Sequence, residues 1–157
     1  MKEQRLSPSR HLRYLKAALV QARIASRHGE VPVGAVVVLD GRVVGTGRNE
    51  MISRKDPSAH AEILAIRKAA QKLQSERLPG CILYSTLEPC PMCAGAAVLA
   101  RLSEVVYGAA DPRAGACGSA MNLSSHKKLN HHFKVAGPAM PVECGGILRK
   151  FFRKKRK

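Results

Sequence analysis

The chain has 157 residues, of which 45% are hydrophobic, so it is long and apolar enough to bury the core of one compact domain. Its 27 lysines and arginines outnumber 11 acidic residues and leave a formal net charge of +16. This excess favours a polyanionic partner, with nucleic acid ahead of an anionic membrane, although an inert basic surface is the alternative. No apolar run reaches about 18 residues, so no membrane span is predicted.

The N-terminal segment and the cysteines indicate the compartment. Residues 1–13 are charged and lack an apolar signal region, which argues against secretion and predicts a cytoplasmic protein. The chain has five cysteines, an odd number, and two of them form the Cys-x-x-Cys pair Cys90 and Cys93. In a reducing compartment this spacing favours metal binding over disulfides.

The first elements predicted along the chain are a helix and a hairpin. Leucines and alanines at three- and four-residue spacing predict a packing helix over 9–28. The apolar, β-branched run 31–39 predicts a strand buried on both faces. Asp40-Gly41 then predicts a two-residue turn into a partner strand over 42–48.

Helices and strands alternate in the rest of the chain. After a polar loop over 49–57, either Asp56 or Ser58 is expected to cap the next helix. The elements predicted to follow are a helix over 59–73, a strand over 81–85, a helix over 91–101, a strand over 105–108, a long loop over 109–132, a strand over 133–135 and a helix over 141–154. Gly145-Gly146 is expected to weaken that last helix. The order predicts a single α/β domain over 1–157, with helices on both faces of one sheet.

Three side chains in the middle of the chain are good zinc ligands. Cys90 and Cys93 stand three apart at a predicted helix start, so they share a face, and the helix N-terminus favours the metal-binding thiolate. His60 is expected at the start of another helix. Three ligands leave one tetrahedral position open, which is typical of a catalytic zinc. Glu62 is then expected beside the metal as a proton carrier. Two buried cysteines without a metal are the alternative.

These residues carry a family resemblance. His60-Ala61-Glu62 together with Pro89-Cys90-Pro91-Met92-Cys93 resembles the signature of the zinc-dependent cytidine and deoxycytidylate deaminase superfamily, whose members deaminate an exposed or extruded base. Further segments resemble the tRNA-specific adenosine deaminase branch. They span nearly the whole chain and comprise residues 30–35, 56–62, 86–90, 93–95, 106–109 and 151–153.

The resemblance implies a fold and residue roles. The fold is three-layer α/β/α with a mixed five-stranded sheet, cytidine deaminase-like. The implied Zn²⁺ ligands are His60, Cys90 and Cys93, and the implied proton carrier is Glu62. Asn49 is implied to contact the flipped base, and Val31 and Ala61 are implied to line the pocket. The residues implied to lie near the RNA are Asp111, Asn130, His131, Phe151, Phe152 and Arg153.

The resemblance also implies the reaction and the partners. It implies hydrolytic conversion of adenosine to inosine at the wobble position of a tRNA anticodon loop. The protein is expected to form a homodimer through the small residues 94–97, and the basic tail 153–157 is expected to add phosphate affinity. A deaminase of a free base or nucleotide, of the guanine or cytosine type, is the alternative. A zinc-stapled RNA-binding module is a third reading, which the presence of Glu62 disfavours.

Overall fold

A computed structural model describes residues 8–156. Residues 1–7 and Lys157, the last residue of the predicted basic tail, lie outside the described residues. The elements are α1 (Pro8–Arg27), β1 (Gly34–Leu39), β2 (Arg42–Arg48), α2 (Met51–Arg54), α3 (Ala61–Leu73), β3 (Ile82–Leu87), α4 (Pro91–Leu99), β4 (Glu104–Ala109), β5 (Lys134–Ala136) and α5 (Pro141–Lys155). Within the described part of the chain, no helix is both long and apolar enough to cross a membrane. The cytoplasmic location stays a prediction.

The five strands form one mixed sheet in the order β2-β1-β3-β4-β5. β1 runs antiparallel to both β2 and β3, whereas β3, β4 and β5 run parallel. The hairpin turn predicted at Asp40-Gly41 is present, and both residues have a positive φ, as a tight turn of this kind requires. The predicted mixed five-stranded sheet is confirmed.

Helices cover both faces of this sheet, because side chains of each strand alternate between two apolar layers. On β1, Val36 and Val38 face the layer that contains α1 and α5, and Val37 faces the layer that contains α3 and α4. On β3, Tyr84 lies in the first layer and Leu83 in the second. The three-layer α/β/α prediction is therefore confirmed.

Two local predictions fail at the loop before α3. The polar loop contains the short helix α2, whose first turn is capped from a distance: the buried Glu30 carboxylate accepts hydrogen bonds from the backbone N–H groups of Ile52 and Ser53. Asp56 and Ser58 do not cap α3. Asp56 Oδ1 instead accepts bonds from the backbone and hydroxyl of Ser58, which closes a local turn two residues before the helix.

The glycine pair in α5 does not interrupt the helix. α5 runs continuously through Gly145-Gly146 to Lys155. Cys144 and Phe151, on either side of the pair, are both buried, so packing against the sheet holds the helix where intrinsic propensity is poor.

Candidate active site

Two helix starts on the same side of the sheet bring the predicted metal ligands together. His60 is the N-cap residue of α3 and Cys90 is the N-cap residue of α4, both with extended backbone. Neither side chain caps its own helix, so both are directed elsewhere. Pro91 suits the first helical position because the amide it lacks would have no intrahelical partner there.

The three ligand atoms form a compact group. His60 Nδ1 lies 3.6 Å from Cys90 Sγ and 3.5 Å from Cys93 Sγ. All three atoms lie within 4.8 Å of one another, close enough to hold a single metal ion. Two sulfurs and one nitrogen leave a tetrahedral ion one position for a further ligand.

Glu62 lies beside this group in the first turn of α3 and is only 4% exposed. Its Oε1 accepts a hydrogen bond of 2.8 Å from the Ser85 hydroxyl, and its Oε2 accepts one of 2.8 Å from the Cys93 thiol. Oε2 also lies 3.9 Å from His60 Nδ1. Burial raises the pKa of Glu62. A buried carboxyl with a raised pKa, next to a metal-ligand set, is suited to accepting and returning a proton.

The three candidate metal ligands shift the pKa values of one another. A hydrogen bond from Cys93, with a further contribution from His60, lowers the pKa of Cys90 to about 4. The pKa of Cys93 is raised by its interaction with Cys90, by burial and by the neighbouring Glu62 carboxylate. The hydrogen bond with Cys90 raises the pKa of His60. The lowered pKa favours the thiolate form of Cys90, which is the form that binds metal ions.

The residues predicted to contact a flipped base lie around the same layer. Ala61 is fully buried, and Val31 packs against the apolar cluster to which Ala61 belongs. Asn49 is 6% exposed, and its side-chain oxygen accepts a hydrogen bond from the Met51 amide at the start of α2. Its backbone amide donates to Val33, which ties this loop to the strand entering the sheet.

Three predicted RNA-contact residues have partners within the chain. Asp111 Oδ1 accepts bonds from the amides of residues 113 and 114 and so stabilises its own turn. The exposed Asn130 accepts a bond from Arg101, and His131 Nε2 lies 2.7 Å from the Leu102 carbonyl oxygen. These two contacts hold the long loop against the end of α4.

The aromatic pair on α5 is divided by burial. Phe151 is 7% exposed and lies under the Lys155 ammonium, 5.1 Å from the ring centroid, whereas Phe152 is 43% exposed. Phe152 and Arg153 line a surface groove together with further residues of α5. Those further residues are Leu148, Arg149 and Arg156. The groove combines one aromatic ring with three cationic side chains.

Glu88 is a site residue that the sequence reasoning missed. Its buried carboxylate accepts hydrogen bonds from the amides of Asp111, Cys117 and Ser119 and from the Ser119 hydroxyl. These bonds fasten the long loop to the segment that carries Cys90. An acidic residue at the end of an apolar strand, directly before Pro-Cys, is the signal that could have identified it.

Ser85 is a second residue that the sequence reasoning missed. It was predicted only as part of a buried strand, and its hydroxyl reaches Glu62 across the gap between β3 and α3. No local sequence pattern around Ser85 predicts that contact, because Ser85 and Glu62 are 23 positions apart.

Comparison with known proteins gives consistent matches over most of the chain. The model of the MafB19-like deaminase family matches residues 9–156. A tRNA-specific adenosine deaminase of Bacillus subtilis (strain 168) is 46% identical over 144 residues, which cover 92% of this chain and 89% of the relative.

Two solved structures of similar sequence also superpose on this fold. A tRNA:A34 deaminase, studied for A-to-I editing at the wobble position of transfer RNA, superposes with a TM-score of 0.83 at 46% identity, covering 87% of this chain and 99% of that chain. A guanine deaminase from Bacillus subtilis is 44% identical with a TM-score of 0.61, but the match covers only 64% of each chain.

Proposed function

This chain belongs to the MafB19-like deaminase family and to the tRNA-specific adenosine deaminases, and we propose that it hydrolyses adenosine to inosine at the wobble position of a tRNA anticodon loop. The observation that carries this function is the buried Glu62 carboxylate, which lies 2.8 Å from Cys93 within a His-Cys-Cys group. A hydrolytic enzyme requires a proton carrier at that position, whereas a binding module with a structural metal does not.

The ligand set fits zinc in particular. Zn–S bonds of about 2.3 Å and Zn–N bonds of about 2.0 Å at a tetrahedral angle separate the sulfur and nitrogen atoms by roughly 3.5 Å. His60 Nδ1 lies 3.5 and 3.6 Å from the two sulfurs. His60, Cys90 and Cys93 would therefore hold Zn²⁺ with little movement. When bound, the ion would supply the Lewis acidity that makes water nucleophilic near neutral pH.

Glu62 supplies the proton transfers. Its Oε2 accepts the proton of the attacking water and delivers it to purine N1 as the oxygen bonds to C6. Glu62 then passes the second proton of the water to the amino group, which leaves as ammonia, and the base becomes hypoxanthine. Burial of Glu62 favours these proton transfers, because little bulk water reaches its carboxyl group to compete for the proton.

The base would be held by residues before β1, after β2 and at the start of α3. Asn49 is already fixed by Met51 and would bond the flipped adenine, and Val31 and Ala61 would form apolar walls. An unpaired loop base reaches such a pocket cheaply, whereas a base stacked in a duplex does not.

The anticodon stem-loop would contact the basic surface. Asp111, Asn130 and His131 on the long loop, with Phe152 and Arg153 on α5, are the proposed contacts, and the buried Phe151 would support Phe152 from behind. The net charge of +16 favours this polyanion over a free base, which needs no such surface. Guanine or cytosine deamination is therefore the less favoured function.

Substitution of the proton carrier tests the function. Glu62→Ala should retain bound zinc and lose inosine formation on an anticodon stem-loop by about 100-fold or more. Glu76→Ala, which removes an exposed carboxylate from a loop, is the matched control and should retain full activity. Full activity in Glu62→Ala would refute the mechanism. Turnover of free guanine or cytosine, but not of the stem-loop, would refute the substrate.

We also propose a homodimer through the outer face of α4. Ala94 and Ala97, from the predicted small-residue face, are buried inside the domain, so the open face is formed by Met92, Gly95 and Leu99. Met92 and Leu99 are 38% and 75% exposed and share one helix face with Gly95 by their three- and four-residue spacing, so this face presents apolar side chains next to each other, as protein interfaces do.

Charge insertion tests the dimer. Leu99→Glu should give a monomer by light scattering, because it buries an unpaired charge in the interface. Val142→Glu, at a residue of similar exposure (74%) on α5, is the control and should stay dimeric. A monomeric wild-type protein would overturn the proposal.

A further inference from the structure

We propose that Ser85 is a positioning residue that aims the Glu62 carboxylate, a role that rests on the function proposed above. Ser85 is fully buried on β3, and its hydroxyl donates to Glu62 Oε1 at 2.8 Å. The other oxygen, Oε2, faces the metal ligands, 2.8 Å from Cys93 Sγ and 3.9 Å from His60 Nδ1. The two oxygens thus have separate tasks: Oε1 is anchored and Oε2 handles the proton.

The anchor is needed once the metal ligands are engaged. A cysteine that binds a metal does so as a thiolate, so Cys93 can then no longer donate to Oε2. The Ser85 hydroxyl touches no ligand and continues to donate to Oε1. The terminal torsion of a glutamate is broad and soft, so without this bond the carboxylate plane can rotate away from the proton path.

The fold makes Ser85 a rigid anchor. β3 is flanked by β1 and β4, and Ser85 is in register with Ala35 on one side and with Tyr107 on the other. Strand alternation turns its side chain towards α3, whereas its neighbour Tyr84 packs in the opposite layer. A hydroxyl buried at the centre of a sheet is costly unless it is hydrogen-bonded, and the bond to Glu62 meets that requirement.

Matched substitutions isolate the hydroxyl. Ser85→Thr retains it, and Ser85→Val has nearly the same shape without it, so the two variants are matched in shape and differ by the hydroxyl group. Relative to Ser85→Thr, Ser85→Val should lower kcat on the wobble-adenosine stem-loop by about 10- to 100-fold while KM changes by less than about twofold. Ser85→Ala repeats the test without added volume. Thr86→Val is the control. It removes a hydroxyl that accepts a hydrogen bond from the Gly34 amide and faces away from Glu62, so it should leave kcat near the wild-type value.

Two readouts do not depend on turnover. Bound zinc per chain should be the same in Ser85→Val and the wild type, because Ser85 touches no ligand. In thermal unfolding, the loss of stability caused by Ser85→Ala should largely disappear in a Glu62→Ala background, because the two residues then no longer interact.

The outcomes separate this inference from the proposed function. Equal kcat in the Ser85→Thr and Ser85→Val proteins, or additive stability losses in the Ser85→Ala and Glu62→Ala pair, would overturn the positioning role. Absence of inosine formation by the wild-type enzyme would instead overturn the function. The stability comparison would then still decide whether Ser85 anchors Glu62.

Discussion

Replacement of Gly47 by alanine should disable the active site from outside it. Gly47 lies on β2 where the strand rests directly on the backbone of α3. An added Cβ would lie 2.7 Å from the Ala65 amide nitrogen and closer still to the carbonyl oxygen of Ala61. Neither obstacle is a flexible side chain, so only a movement of the whole helix can relieve the overlap.

The structure sets the size of this effect. Ordinary contacts of a Cβ atom begin at 3.4 Å, so α3 must retreat from β2 by about 1 Å. Overpacking of this kind costs about 3 kcal/mol, a large share of a typical domain's stability. Ala61 lies between His60 and Glu62, so both move with it relative to the cysteines on α4. A displacement of about 1 Å at a reacting centre lowers turnover by roughly 100-fold.

The assay combines inosine formation, bound zinc and thermal unfolding. All three should fall in Gly47→Ala. Gly146→Ala is the control: its added Cβ would meet only a far atom of Arg149 at 3.9 Å, and alanine in a helix interior should raise stability by about 0.5–1 kcal/mol. Wild-type turnover and zinc content in Gly47→Ala would show that α3 does not need this close approach.

Three further predictions concern buried or charged side chains. After zinc removal by a chelator, iodoacetamide at neutral pH should label Cys90 before Cys117. The pKa of Cys90 is lowered to about 4, whereas burial raises the pKa of Cys117 to about 12. Mass spectrometry that finds Cys117 labelled first would contradict this. Burial raises the pKa of Cys144 from 9.0 to about 11, so its stabilising contribution is complete below pH 9 and is lost as the pH rises towards 11, by about 2 kcal/mol. Unfolding of Cys144→Ala should depend less steeply on pH in that window, and an unchanged slope would count against it. Glu88→Gln turns an amide group towards backbone donors and should lower the free energy of unfolding by about 2 kcal/mol. Residues 111–119 should then become accessible to protease, and unchanged proteolysis would exclude Glu88 as their anchor.

Local patterns predicted the elements well and their ends less well. The β-branched run before Asp40-Gly41 is strand-forming wherever it packs, and that strand and its hairpin are confirmed. The α3 cap was assigned wrongly because Asp56 has two possible uses, a helix cap or a local turn, and the sequence contains both. Gly145-Gly146 predicted a weak helix from propensity, but the buried neighbours of the pair outweigh propensity in α5.

The sequence by itself predicted the candidate metal ligands and determined the fold class. His60, Cys90 and Cys93 stand next to helix-start signals, and strands alternating with helices allow few arrangements other than a covered sheet. Both conclusions depend on short-range spacing, which is readable from the chain.

Only the tertiary structure decided which side chains contact the candidate site residues. The Ser85 bond to Glu62 joins residues 23 positions apart, and the bonds from Glu88 to the long loop cross similar distances along the chain. The open face of α4 depends in the same way on which of its sides the sheet covers. Such contacts follow from where whole elements pack, so no local residue pattern records them.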